Sequence, residues 1–168
     1  ASMADAAVIC NNASFSVTPA NVLAVNGADK KAGSAESAFE NGLVADMAAT
    51  PDEAIASAKQ ILAYLPSNKL DKNVYAGAED DPNRATPEIA SITAKADYDV
   101  HAVIVSVADG GAYKELTAGK ASSMVTAFAF VNGLPCGIIA NNPAEHEGKL
   151  CGGALRKAAN FAALCDSF

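Results

Sequence analysis

The stretch 132-NGLPCGIIANNPAEHEGKLCGGALRKAANFAALCDSF-168 decides how this chain folds. Asn132-Gly133 stands between two apolar runs, Val125 to Val131 and Leu134 to Ala140. A two-residue type I′ turn favours this pair, because both of its positions need positive φ, so a β-hairpin is expected. Pro135 has no N–H to donate and belongs at the strand start or on a side facing away from the partner strand. Beyond the second strand, Asn141-Asn142-Pro143 signals a turn at the strand end. Cys151-Gly152-Gly153 then begins a helix, and Ala154, Ala158, Phe161, Cys165 and Phe168 share one of its faces.

Working outward from this stretch, Val100, Val103, Ile104 and Val107 recur at helical spacing, and Gly110-Gly111 supplies a stop. Residues Ser67 to Ala96 are polar, contain Pro82 and Pro87 and the acids Glu79, Asp80 and Asp81, and show no periodicity; they read as a linker. The strongest helix start in the chain is Thr50-Pro51-Asp52-Glu53. It combines a hydroxyl cap, a proline whose missing N–H costs nothing there, and acids at the positive helix end. Ile55, Ala58, Leu62 and Leu65 are expected to form the core face of that helix, which Pro66 ends. Nearer the N-terminus, Asp5 to Cys10 and Leu43 to Met47 read as short strands. Pro19 is placed to open a brief helix that Asn26-Gly27 closes, and Ala35 to Phe39 forms another, stopped by Asn41-Gly42. This order of elements specifies an α/β domain with a mixed sheet.

Composition narrows the function classes. At 51% hydrophobic over 168 residues, the chain carries enough apolar material for a packed core. Aromatics are only 6% and Trp is absent, so small side chains should let helices and strands approach closely. The formal charge of −7, with Lys and Arg scattered singly, offers no basic stripe for nucleic acid. No apolar run reaches the roughly 18 residues a membrane span needs, and no basic-then-apolar leader opens the chain, so a soluble cytoplasmic protein is expected. Cys10, Cys136, Cys151 and Cys165 form no Cys-x-x-Cys pair and only His101 and His146 are present as imidazoles, so no metal site is expected; the thiols read as reduced, small apolar fillers. The abrupt opening at Ala1 and the uncapped helix at Phe168 read as cuts in a longer protein.

The residues from Asn132 to Phe168 carry a more specific signal. Their order resembles that of the biotin-dependent acyl-CoA carboxyltransferases, the family of acetyl- and propionyl-CoA carboxylase beta subunits and glutaconyl-CoA decarboxylase alpha-type subunits. In that family a hairpin of the form GxPVGIVANQP leads to a Gly-Leu step, a KAARF-like helix and CDAF. The match includes Ala140-Asn141, Pro143, Gly148, Leu150, Lys157, Phe161 and Cys165-Asp166. Upstream, Asp81-Pro82-Asn83-Arg84, Pro87-Glu88-Ile89, Tyr98-Asp99-Val100 and Val107-Ala108-Asp109 resemble the family's interdomain segment and the first helix of its C-terminal half. Ala38-Phe39-Glu40-Asn41 and Tyr64-Leu65-Pro66 resemble the last elements of its N-terminal half. The chain departs from the family at Asn142, often glutamine, at Asn160, often arginine, and near Glu36, where the family has a histidine.

The resemblance implies a crotonase-like ββα superhelix, with this chain holding pieces of two consecutive repeats. Residues 1–66 would end the N-terminal carboxyltransferase half, 67–97 would link, and 98–168 would begin the C-terminal half. The implied reaction moves a carboxyl group between carboxybiotin and an acyl-CoA through an enolate held by backbone oxyanion holes, in either the carboxylase or the decarboxylase direction. Biotin would arrive on a carrier protein or domain, and the intact enzyme would be a homo-oligomer. Both amide pairs that hold the developing charge lie outside the matched segment, so no catalytic residue is assigned here and the chain alone is expected to be inactive. Asn141, Asn142, Pro143, Gly152, Gly153 and Lys157 remain as biotin-pocket wall or as plain structure. Lys157 on its own reads as a solvated or ion-paired lysine, and His146, between Glu145 and Glu147, as an exposed histidine rather than a base. The alternative from another class is a non-catalytic binding or assembly module that keeps the fold.

Overall fold

The structure, a computed structural model, describes residues 4–16, 18, 20–25, 27, 31–71, 75–77, 80–81 and 83–168. They fall into two compact units, Ala1–Lys59 and Gln60–Phe168. The proposed helix-opening role of Pro19, the turn residue Asn26, and Glu79 and Pro82 of the linker lie outside the described residues.

In the first unit, β1 (Val8–Cys10) pairs in parallel with β2 (Asp46–Ala48), Ile9 lying opposite Met47. Parallel neighbours require a crossover, which here contains α1 (Ala20–Val25) and α2 (Ala35–Glu40). Ser34 caps α2 by accepting the Ser37 N–H at 3.1 Å, and Ala35 and Ala38 on its inner face bury against Ile9 and Val44. Helix α3 (Pro51–Ala63) starts where Thr50 predicts, with the Thr50 hydroxyl accepting the Glu53 N–H at 3.2 Å. Its buried face differs from the expected one. Ser57 and Ile61 are buried, whereas Ile55 is 54% and Leu62 66% exposed. Ser57 is drawn inward because its hydroxyl donates to the Asp46 carboxylate, and a partner on β2 is not visible in α3's own periodicity.

The second unit is layered helix, sheet, helix. Strands β3 (Tyr113–Glu115), β4 (Met124–Val131) and β5 (Leu134–Asn141) form an antiparallel sheet in that order. The described residues thus hold one parallel pair and one antiparallel sheet in place of a single mixed sheet, because a crossover joins β1 to β2 while a tight turn joins β4 to β5. Val131 faces Leu134 across the turn, and Asn132 and Gly133 have φ of 52° and 72°, the type I′ requirement. In such a hairpin the closing pair exchanges hydrogen bonds and the next pair does not, so Pro135, opposite Phe130, turns its missing donor away from β4.

Strand β4 is buried on both faces, which explains why it reads as an unbroken apolar run. One face carries Val125 against Val100 and Ile104 of α5 (Val100–Val107). The other carries Phe128, whose ring centroid lies 4.9 Å from Phe161 of α6 (Gly152–Ser167) and 5.7 Å from Tyr64. Gly137 on β5 permits this close approach of α6, since a Cβ there would sit 2.7 Å from the Cys165 sulfur and 3.2 Å from the Phe161 ring. Ala154 and Phe161 are buried and Ala158, Cys165 and Phe168 half-buried, the face the sequence predicts, widened by Lys157 and Leu164. Val107 is exposed, contrary to expectation. Helix α5 stops there and Ala108 turns to extended backbone, so that Ala108 takes the buried place. Within the polar stretch read as a linker, Pro87–Ile92 forms α4, opened by Pro87 in its first turn.

Candidate functional site

All six candidate residues belong to the second unit, and contacts among the segments that carry them gather at one end of its sheet. There β3 ends, β4 begins and β5 ends, so the loop 116–123 and the turn after Asn141 are neighbours. The Asn142 N–H donates to the Ser123 carbonyl at 2.8 Å, and the Ser122 hydroxyl to Glu145 at 2.8 Å.

The two adjacent asparagines have opposite roles. Asn141 is exposed. Asn142 is only 3% exposed, and its side chain is engaged internally. Its carbonyl oxygen accepts the Val100 N–H at 3.1 Å and the Ala144 N–H at 3.4 Å, and its amide donates to Asp99 at 3.3 Å. Asn142 and Asp99 therefore cap α5 together, Asp99 accepting the His101 N–H at 3.0 Å. The turn stays close to its following loop because Gly148, at φ 68°, has no side chain; a Cβ would meet the Asn141 amide at 3.0 Å and Pro143 at 3.4 Å. Replacing Asn142 with alanine is expected to destabilise the protein by about 1–3 kcal/mol, since the buried Val100 N–H loses its acceptor. Faster hydrogen exchange at Val100, with the hairpin amides unchanged, would be the accompanying sign. An Asn142→Ala protein as stable as wild type would refute this role.

Of the two readings of Lys157, solvated or ion-paired, the structure has the ion-paired one. Its side chain is 4% exposed, lies 3.6 Å from Glu115, and donates to the carbonyls of Thr117 at 3.0 Å and Lys120 at 3.1 Å. Burial lowers its pKa, the Lys120 charge adds to that, and Glu115 opposes both. The ammonium thus anchors a loop in which two non-glycine residues, Thr117 and Ala121, hold positive φ of 53° and 44°.

Gly152 and Gly153 begin α6 and are exposed. A Cβ at Gly152 would meet nothing within 4 Å, and one at Gly153 only ordinary contacts with Cys151 and Ala121, so neither position is closed to a side chain. Cys151 departs from the expected apolar filler: it is exposed at the head of α6, where the N–H groups of Ala154 and then Gly153 hold its thiol below the ordinary pKa. Among the four cysteines it is expected to react first with iodoacetamide near neutral pH, as mass spectrometry of partially labelled protein would read. Cys165 goes the opposite way, its thiol pushed up by burial. Preferential labelling of Cys165 over Cys151 would contradict the geometry.

Sequence reading missed the residues that join these parts. Asp99, His101 and Glu115 link Asn142 to Lys157, with His101 Nδ1 2.6 Å from Asp99 and Nε2 3.0 Å from Glu115. Asp99 carried a detectable signal, an acid directly before the apolar run of α5. Glu115, inside a three-residue strand, carried none. At the opposite end of the sheet a second polar network braces the hairpin. Asp109 accepts the N–H groups of Asn132 at 2.9 Å and Gly133 at 2.7 Å, and Arg84 bonds Asp80 at 2.8 Å and the carbonyls of Ser106 and Ala108. No helix among the described residues is long and apolar enough to cross a membrane.

Residues 13–168 match the carboxyl transferase domain. The methylmalonyl-CoA carboxyltransferase 12S subunit of Propionibacterium freudenreichii subsp. shermanii is 38% identical over 160 residues, covering 92% of this chain and 30% of that subunit. The propionyl-CoA carboxylase beta chain of Saccharopolyspora erythraea is 32% identical over 133 residues, covering 73% of this chain and 24% of its own length. Among solved structures, the transcarboxylase 12S hexamer with hydrolysed methylmalonyl-CoA bound is similar at TM-score 0.90 and 35% identity, over 99% of this chain and 34% of that one. The chain therefore spans about a third of the 12S relatives it matches, or less in the case of the beta chain.

Proposed function

The chain belongs to the carboxyl transferase domain family and has its crotonase-like α/β fold, and we propose that the intact protein moves a carboxyl group between carboxybiotin and an acyl-CoA. The observation that carries this reading is 38% identity to a methylmalonyl-CoA carboxyltransferase subunit across 92% of the chain. Relatives named as carboxylase and as decarboxylase subunits occur at similar identity, so the proposal covers transfer in both directions.

The chemistry requires an enolate oxygen and a ureido oxygen to be stabilised by fixed dipoles rather than by mobile charge. The N-terminus of the sixteen-residue α6, where Gly152 and Gly153 stand, offers a dipole of the sign this chemistry needs. Carboxybiotin, when bound, would supply the carboxyl group in the carboxylase direction, and biotin would accept it in the other. In this proposal exposed Asn141 and half-buried Pro143 are the members of the turn left to meet a ligand, since the side chains of Asn142 and Lys157 are engaged internally. In this reading residues 1–66 belong to the N-terminal half, 67–97 link, and 98–168 open the C-terminal half. The working enzyme in this reading is a cytoplasmic protein served by a biotin carrier, and a homo-oligomer, the last part supported by the hexameric 12S relative.

The test is carboxyl transfer by the full-length protein, from methylmalonyl- and glutaconyl-CoA to free biotin or a biotinylated carrier, and from the carboxylated carrier to acetyl- and propionyl-CoA. Transfer to or from at least one thioester is expected. Absence of transfer with all four, from a folded oligomer, would favour a non-catalytic assembly module instead.

A further inference from the structure

His101 is held between two carboxylates, and both of its ring nitrogens are engaged. Nδ1 lies 2.6 Å from Asp99 Oδ1 and Nε2 lies 3.0 Å from Glu115 Oε2. A neutral imidazole carries one N–H and one lone pair in either tautomer, so it can donate to only one of these oxygens and turns its lone pair toward the other. The imidazolium donates to both. The placement is therefore made for the cation.

Each carboxylate reaches further. Asp99 Oδ1 also accepts the His101 backbone N–H and the Asn142 side-chain amide, which ties it to the head of α5 and the turn after β5. Glu115 Oε1 lies 3.6 Å from Lys157, whose ammonium grips the carbonyls of Thr117 and Lys120. The loop so gripped contains Thr117 and Ala121 at positive φ, conformations that need an external hold. The turn and the loop already meet through the Asn142 N–H on the Ser123 carbonyl and the Ser122 hydroxyl on Glu145; the imidazole adds a separate side-chain path, from Asn142 through Asp99 and Glu115 to Lys157. We propose that His101 is a pH-operated clasp, which as a cation joins the Asn142 turn to the Lys157-held loop and on losing its proton releases one side of that joint. The clasp stands on this geometry and does not depend on what the site binds.

The surrounding charges agree. Partial burial alone would lower the imidazole pKa, but the hydrogen bonds and charges of Asp99 and then Glu115 outweigh it, and the net shift is upward from 6.5. The other titratable groups facing the ring are Tyr113 on β3, with ring centroids 6.3 Å apart, and Lys157 on α6 beyond Glu115. Burial, then Glu115 and Asp99, raise the Tyr113 phenol above 10.0, so it stays neutral while the imidazole titrates. With the folded pKa above the unfolded value, the clasp's contribution is present in full below about pH 6.5 and is lost as pH rises through the folded pKa. Release thus occurs on the alkaline side of the free imidazole value.

The experiment is a heteronuclear NMR titration of the protein from about pH 5.5 to about pH 9, following the His101 ring and the amides of Val100, Ala144, Gly119 and Lys120. We expect the ring midpoint above that of free imidazole, and all four amides to move with the same midpoint. Glu115→Gln should lower the midpoint and stop Gly119 and Lys120 from following it, while Val100 and Ala144 continue to do so. His101→Arg, permanently charged, should abolish the step and hold the four amides at their low-pH positions. If arginine is not accommodated, His101→Gln should instead hold them at their high-pH positions throughout. Amides that ignore the ring's titration, or that keep the same step after His101 is replaced, would overturn the clasp.

Discussion

Replacing Phe128 with alanine is expected to lower the unfolding free energy by about 3–5 kcal/mol. Phe128 is 3% exposed at the centre of β4 and packs between Tyr64 and the Phe161 ring of α6. Truncation removes the contact that joins sheet to helix, and α6 cannot collapse into the gap because Gly137 already brings it against β5 at van der Waals range. Urea unfolding should show a lower midpoint with an unchanged slope. A loss under about 1 kcal/mol would mean that the helix-sheet layer is not packed as described.

Glu115→Leu is expected to cost about 3–5 kcal/mol, and more than Lys157→Met. Removing Glu115 leaves a buried ammonium facing two neutral carbonyls and the nearby charge of Lys120, with no anion to compensate it. Removing Lys157 leaves Glu115 still bonded to His101, a cation below its raised pKa, and the methionine refills the apolar volume. The order should narrow above that pKa, where the imidazole loses its charge and Glu115 in Lys157→Met has no partner cation. Denaturant midpoints of the two variants measured in acid and alkaline buffer test this. Equal losses at low pH would show that the Lys157 charge is compensated by something other than Glu115.

Elements whose cause is local could be read from the residues. The Asn132-Gly133 turn, the Thr50 cap of α3 and the apolar stripe of α6 each depend on neighbours within a few positions, and each appears where expected. The buried face of α3 was misread because Ser57 is held by Asp46, eleven residues away on another element. Val107 was misread because it is the last residue of its helix, and the extended backbone at Ala108 puts that residue in the buried place. In the candidate site, the turn after Asn141 and the helix start at Gly152 were legible as backbone punctuation. The commitments of Asn142 and Lys157 were not, since their partners lie about 40 residues away in sequence, at Asp99 and Val100 and at Thr117 and Lys120. No periodicity or propensity could pair them.

The contrast between the two sheets also sets an order of events along the chain. β4 and β5 are joined by two residues and zip from their turn, on a scale of roughly microseconds for an isolated hairpin. β1 must find β2 across both intervening helices, and closing that longer segment costs more chain entropy before any pairing rewards it. During synthesis β1 leaves the ribosome before β2 and waits for it, so the edge that β2 will cover is open to chaperones or neighbouring nascent chains until both helices have been made.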